Sequence, residues 1–260
     1  LFLMMNLGFA QAPNLGTSAD FVIFTTVGAV TKSGVGYAHL TGNVGSNSGS
    51  STGFGNVNGD MCDGNPQSAA ATVDLNAAYL EIDGLIPTLF PGLLLGNGTT
   101  LTPGIYSSPA NTVLNLDLTL VGQGDPNALF IFNIEGTFNA NVNAKVELIN
   151  GAQACNVFWK VEGQVDLASG TKMRGTIIAN NAAINMAVGD TLEGRALSIN
   201  GAISLDAILA YTPIGCGSPV LTGPIAPNLA SAECYTLFTT IGPCTNVGIT
   251  NVVGDVGTDL

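Results

Sequence analysis

The stretch "MRGTIIANNAAINMAVGDTLEGRALSINGAISLD", residues 173–206, carries five ionisable side chains and says nearly the same thing twice. Slid against itself, the sequence fits a period of nineteen: Gly170 falls on Gly189, Gly175 on Gly194, Val165 on Ile184 and Ile203, and Leu167 on Met186 and Leu205. Upstream, "FIFNIEG" (130–136) falls on "VFWKVEG" (157–163) once an eight-residue insertion around "LINGAQAC" is allowed, which makes at least four rungs. A fixed period of this length marks a repeat architecture. Each rung holds three apolar stretches of about six residues divided by Gly or Asn, too short for helices and right for strands. The pattern predicts a mainly β fold, a parallel β-solenoid of triangular cross-section in which no coil buries its apolar face alone.

Period-two alternation assigns each side chain to the inside or the outside. On the first side the expected inward columns are Phe132, Trp159, Ile178, Leu197 and Ile134, Val161, Asn180, Ile199. The outward column Ile131, Phe158, Ile177, Ala196 is apolar too, so this side needs a cover. The expected cover is a helix over "SAAATVDLNAAYLEIDG" (68–84), which places Ala71, Leu75, Ala78, Tyr79 and Ile82 on one face, with Ser68 as cap and Gly84 as terminator. The third side sets Lys145, Lys172 and Thr191 in one column and Glu147, Arg174 and Glu193 in the next, a solvated ladder of opposite charges.

The second side differs. Its inward residues are Phe138, Val165, Ile184, Ile203 and Ala140, Leu167, Met186, Leu205. Outward come Thr137, Gln164, Ala183, Ala202; then Asn139, Asp166, Asn185, Ser204; then Asn141, Ala168, Ala187, Asp206. An exposed sheet usually carries long charged side chains that discourage association. Here short amides, hydroxyls and methyls form a lattice with rungs about 4.7–4.9 Å apart, close to the repeat of water in ice. The candidate binding residues are therefore Thr137, Asn139, Asn141, Gln164, Asp166, Ala168, Ala183, Asn185, Ala187, Ala202 and Ser204.

Composition narrows the function classes. The 260 residues include 34 Gly and carry a net charge of −12 with only six Lys and Arg, so no basic patch exists to neutralise nucleic-acid phosphates. The acidity serves solubility. Catalysis on a solenoid needs clustered carboxylates or a basic residue facing a cleft; Asp166 and Asp206 share a side but lie two rungs apart, and no Lys or Arg joins them there. No enzyme, no cofactor and no metal is expected. "DMCDGN" (60–65) lacks the downstream Glu of a calcium loop and reads as the turn that begins the helix, while "NGT" (97–99) matches a glycosylation sequon but is foremost a turn.

The N-terminal "LFLMMNLGFAQAPNLG" reads as the end of a signal-peptide core with a small-x-small cleavage site, too short to span a membrane, so residues 1–12 are set apart from the fold. Export would let some of Cys62, Cys155, Cys216, Cys234 and Cys244 pair; Cys234 with Cys244 is closest in sequence and Cys155 with Cys216 is a second choice, connectivity staying open. A longer repeat closes the chain: "FTTIGPCTNVGITNVVGDVGT" (238–258) follows the plan of "FTTVGAVTKSGVGYAHLTGNVGS" (24–46). The expected organisation is a solenoid over 13–216, a linker over 217–227, and the start of a second copy over 228–260, as in a tandem array.

Taken in order, "NLGTSADFVIFTT", "TGNVGS", "AAATVDLNAAYLEI", "LTPGIYSS", "LTLVGQGDPNALFIF", "NGAQACNVFWKVEG", "MRGTIIANNAAINM" and "LEGRALSINGAISLD" resemble the ice-binding-like family of secreted bacterial, fungal and diatom proteins, over nearly all of residues 14–212. The resemblance implies a discontinuous right-handed β-solenoid with a long helix along one side, a flat ice-binding side, and extracellular action on an ice crystal surface. It also implies that "FVIFTTVGAV" joins the sheet out of chain order, and the Gly- and Ser-rich "GSNSGSSTGFGNVNG" (45–59) is expected to be an irregular cap. Many active relatives carry Thr, Ala or Gly, any residue, then Thr or Asn; the nearest versions here are "SGTK" (169–172) and "VGDT" (188–191), which points to weak ice binding or recrystallisation inhibition. The alternative is a structural or adhesive cell-surface module, its partners being the cell surface or neighbouring tandem domains.

Overall fold

The computed structural model describes residues 12–54, 57–215, 235–241, 243–245 and 255–258. The signal-peptide remnant expected over residues 1–12, apart from Ala12, and the linker expected over 217–227 lie outside the described residues. The chain divides into two compact units, Leu1–Leu221 and Thr222–Leu260.

The first unit is the expected parallel solenoid. One side stacks, in spatial order, Asn43–Ser48, Phe21–Val27, the C-terminal half of Thr191–Asn200, the C-terminal half of Lys172–Ala179, Val157–Val161, Phe130–Ile134 and Gly104–Ser108, all parallel. Phe21–Val27 therefore sits between a strand that follows it closely and one that ends the repeat, out of chain order. After two coils at this end, the helix Pro66–Asp83 returns the chain to the far end. Its 18 residues span roughly 27 Å, close to the roughly 29 Å covered by six strand spacings.

The helix begins one turn earlier than expected, and the cap is Asn65, not Ser68. Asn65 Oδ1 accepts the Ser68 N–H at 2.9 Å while Ser68 Oγ accepts the Asn65 N–H at 2.9 Å, a reciprocal capping box with Pro66 in the first turn. Ala71, Leu75, Ala78 and Ile82 are buried against Phe24, Ile131, Phe158, Ile178 and Leu197. The apolar outer surface of side one is thus covered, as expected.

Which residues make that surface is a correction. Trp159 pairs with Ile177, not Ile178, and Ile177 with Ala196. Ile177 and Ala196 point into the solenoid core, whereas Ile178, Leu197 and Ile199 face the helix. The cause is the corner: three residues separate Val161 from Val165, but four separate their partners Ala179 and Ile184. One extra corner residue slips the side-one register against a strict nineteen, and a one-residue slip exchanges inside for outside.

Residues 45–59 are the second correction. They are not an irregular cap, because Asn43–Ser48, Ser51–Thr52 and Val57–Asn58 form a regular last coil, each strand parallel to its counterpart in Phe21–Val27, Val30–Lys32 and His39–Thr41. Small residues permit this. A Cβ on Gly45 would come 2.2 Å from the Cys62 carbonyl oxygen, and one on Gly49 2.0 Å from that of Gly28.

The interior is packed by a stack of rings, with Tyr106, Phe132 and Trp159 at 5.1 and 4.0 Å between centroids and Phe138 at 5.2 Å from Trp159. Trp159 Nε1 donates to the Arg174 carbonyl at 2.9 Å, so the buried indole has its partner. Cys155 is disulfide-bonded and its partner lies outside the described residues; Cys244 is a free thiol, so the Cys234–Cys244 pairing does not form.

Candidate functional site: the uncovered sheet

The second side is a sheet of eight parallel strands in the order Ser51–Thr52, Val30–Lys32, Ile203–Leu205, Ile184–Met186, Val165–Leu167, Phe138–Ala140, Thr112–Asn115 and Leu94–Gly96. Six of these strands run into a Gly or Asn within three residues, whereas Thr112–Asn115 turns at Leu116, which has a positive φ, and Ile203–Leu205 at Asp206 and Ala207. From Phe138 through Val165, Ile184 and Ile203 to Val30 the register never shifts, and all five side chains are fully buried. That strict stacking fixes the outward side chains on a regular lattice.

The outward central column runs Leu94, Val113, Asn139, Asp166, Asn185, Ser204, Thr31, Thr52. The four middle members are those expected from the period. Backbone bonds place Thr137, Gln164, Ala183 and Ala202 in one flanking column, continued by Ala29 and Ser50. On the other flank, backbone bonds align Asn141, Ala168, Ala187 and Asp206, continued by Ser33. The structure thus brings all eleven expected residues together on one face. Ala29, Thr31, Ser50 and Thr52 were missed because they come from the opening strands: Thr31 pairs with Ser204, 173 positions along the chain, and Thr52 in turn pairs with Thr31. The only sequence signal for them was the out-of-order pairing of "FVIFTTVGAV".

The face has two chemical halves. In the acidic and amide half, Gln164 Nε2 donates to both carboxylate oxygens of Asp166 at 2.8 Å, and Asn185 Nδ2 donates to Asp166 Oδ1 at 2.7 Å. Asn141 Nδ2 donates to Asn115 Oδ1 at 2.9 Å, and Asn115 Nδ2 to Asn97 Oδ1 at 2.8 Å. These side chains hold one another in place. The other half is Ala202, Ser204, Ala29, Thr31, Ser50 and Thr52, where small methyls alternate with hydroxyls that make no side-chain hydrogen bond among the described residues.

An edge of the face is fixed by Asp190, which is buried at the corner between sides two and three. Its carboxylate accepts the Thr171 N–H at 2.9 Å and the Ala187 N–H at 2.8 Å, tying two coils beside the Ala168 and Ala187 column. Burial pushes this carboxyl up to about 7, against the pull of the backbone donors.

The other two sides lack these properties. Side one lies under the helix, locked by Lys160: its Nζ, 1% exposed, meets Glu162 Oε1 at 2.6 Å and Asp83 Oδ1 at 2.7 Å and lies 5.2 Å from the Tyr79 ring centre. Side three carries the expected charge columns, with Arg174 to Glu193 at 2.7 Å and Lys145 to Asp117 at 3.1 Å. It is also indented by a groove of about 630 Å³ along Lys145, Glu147, Gln153 and Arg174. Among the described residues no cluster of three or more His, Cys, Asp or Glu could hold a metal. Asp63 of "DMCDGN" instead accepts the N–H groups of Ser46 and Ser51 at 2.9 and 2.7 Å.

The first unit is thus a stacked solenoid with one helix-covered side, one charged and grooved side, and one flat face of short polar and methyl groups. The Ice-binding-like family model matches residues 24–209, and the chain belongs to that family. It is 39% identical over 174 residues to an ice-binding protein of Nostoc sp. (strain HG1), covering 65% of this chain and 63% of that one. It is 30% identical over 196 residues to ice-binding protein K3-B1 of Typhula ishikariensis, covering 66% of this chain and 79% of that one. A crystal structure of an ice-binding protein from an Antarctic bacterium, Flavobacteriaceae, superposes with a TM-score of 0.80 at 54% identity, over 95% of this chain and 58% of that chain. The chain thus spans less than two thirds of the length of the Nostoc and Flavobacteriaceae proteins.

Proposed function

We propose that this protein is a non-enzymatic ice-binding protein that acts outside the cell and meets the ice crystal with its second side. The observation that carries this reading is the eight-strand, in-register column from Leu94 to Thr52, flanked by alanine, amide and hydroxyl columns. Ice offers neither charge nor pocket, only a periodic plane of water. A protein recognises it with a rigid array that orders its own hydration water between anchored hydrogen-bonding groups and methyls. The family membership supports the same partner and the extracellular setting, and the relatives named above are themselves called ice-binding proteins.

Within the face, the half built from Ala29, Thr31, Ser50, Thr52, Ala202 and Ser204 is the better match. Its hydroxyls are free to bind ordered water, whereas Gln164, Asp166 and Asn185 already satisfy one another. The test is partition into a slowly growing ice hemisphere. The wild type should be incorporated, and Ala183→Tyr or Ala202→Tyr should be excluded with the fold intact, because these side chains point outward. Exclusion of the wild type from ice would end the proposal.

A further inference from the structure

The two ends of the solenoid are finished differently. At one end the outer edge of Asn43–Ser48 is covered by residues 60–64: the Val44 N–H donates to the Asp60 carbonyl at 2.9 Å, the Cys62 N–H to that of Val44 at 2.8 Å, and the Gly64 N–H to that of Ser46 at 2.9 Å. Asp60 and Asp63 stand exposed there. A covered edge that carries carboxylates discourages pairing with a second copy of itself.

The other end lacks this protection on two of its sides. Its last coil runs through residues 88–89, which bond onto Gly104–Ser108, and then through Leu94–Gly96 and Thr99–Leu101. Among the described residues, the last two strands close their sheets and are paired along one edge only. The Leu93 carbonyl and the Asn97 N–H bond inward, to Val113 and Asn115, so Leu94, next in the alternation, turns its own N–H and carbonyl to the open edge. Ile86 and Phe90, in the segment leading into this coil, are 81 and 74% exposed, and Leu93 and Leu94 are 44 and 53% exposed. From Gly84 to Leu116 no side chain is charged, in a chain of net charge −12. Here a second copy of this acidic chain meets apolar surface without like-charge repulsion.

We propose that two copies of this chain associate end to end through Ile86, Phe90, Leu93 and Leu94, with Leu94–Gly96 pairing antiparallel to its own copy across a two-fold axis normal to the second side. Antiparallel neighbours are related by such an axis, which keeps outward side chains on the same face. The central columns that end at Leu94 thereby join, and the eight strands of the uncovered sheet become half of one continuous face. That consequence rests on the ice-binding reading of side two, whereas the dimer itself does not. The contact is small. A triangle with sides of roughly 20 Å, the length of six residues of strand, encloses roughly 170 Å², well short of the roughly 800 Å² per partner of a stable interface. The dimer is therefore weak in solution and is favoured where adsorption to ice concentrates the protein.

Sedimentation equilibrium of the chain between about 1 μM and about 1 mM should show monomer passing to dimer. Phe90→Asp should stay monomeric over that range. Val73→Asp, on the outer side of the helix at a residue 67% exposed, should dimerise as the wild type does. Both replaced side chains are exposed, so circular dichroism should show the fold unchanged. Amide exchange at Leu94 should slow as protein concentration rises, while that at Thr52, on the edge strand of the opposite end, should not. A monomer at every concentration overturns the proposal, as does a dimer that survives Phe90→Asp or that protects Thr52 instead. A monomer that floats with neutral phosphatidylcholine vesicles, and ceases to do so in Phe90→Asp, overturns it too and makes the patch a lipid contact. Above its dimerisation concentration the wild type should show a partition coefficient into growing ice on the order of tenfold higher than Phe90→Asp. Equal partition of the two overturns the joined face and leaves the dimer, and a wild type that dimerises but ignores ice refutes the ice-binding reading alone.

Discussion

Thr31 stands directly opposite Ser204 in the central column of the uncovered sheet, although 172 residues separate them in the chain. Their pairing joins the opening strands to the last rung of the repeat and extends the flat face by two strands. Thr31→Tyr should therefore abolish partition into ice as fully as Ala202→Tyr does. Because the side chain points outward, the change in unfolding free energy should stay within about 0.5 kcal/mol, measured by denaturant titration.

Side three supplies the control. Lys172 is exposed, and Lys172→Tyr should leave ice partition unchanged. Arg174→Ala breaks the 2.7 Å contact with Glu193 and should cost less than about 1 kcal/mol, again with normal ice binding. Loss of binding from either change, with side-two variants silent, would place the ice contact on the wrong face here.

Lys160 clamps the helix to the solenoid, and removing it leaves Glu162 and Asp83 facing one another without a cation. Lys160→Ala should destabilise the fold by about 2–3 kcal/mol, below the range for a fully enclosed pair because Asp83 remains half exposed. Burial alone would raise the Glu162 carboxyl, but the Lys160, Asn180 and Tyr79 hydrogen bonds outweigh it and hold it below the usual carboxylate range. The stability it contributes is full above the ordinary glutamate value and is lost as the pH falls through the lowered one. Acid unfolding curves of wild type and Glu162→Gln should diverge near neutrality and converge at the acid end.

Asp190 works in the opposite sense. Its carboxyl is raised to about 7 by burial, so the contribution of its proton to stability is fully present below about pH 4 and is lost as the pH rises through 7. Acidification from about pH 8 to about pH 5 should stabilise the wild type by on the order of 2 kcal/mol. Asp190→Asn should be less stable where its amide faces a backbone donor, and should show a flatter slope over that interval. An identical slope in both proteins would contradict the burial argument.

Much of the face could be read without coordinates. Val165, Ile184 and Ile203 recur at nineteen residues and do pair in that register, so alternation alone put Asn185 and Ser204 outside. The helix face was legible as well, since Ala71, Leu75, Ala78 and Ile82 lie on one side of any α-helix that includes them. Both readings rest on local geometry: a strand alternates every residue, and a helix returns every 3.6.

Only the tertiary structure decided the rest. Whether Ile177 or Ile178 enters the core depends on one extra residue in the corner between Ala179 and Ile184, which a period cannot register when the corner absorbs it. That Thr31 and Thr52 complete the face depends on Ile23 meeting Ala196 across the closing seam. Parallel pairing is made by backbone N–H and carbonyl groups that every residue carries, so side-chain pattern shows that a strand forms and which way it faces. Its neighbour is set by where the returning helix delivers the chain.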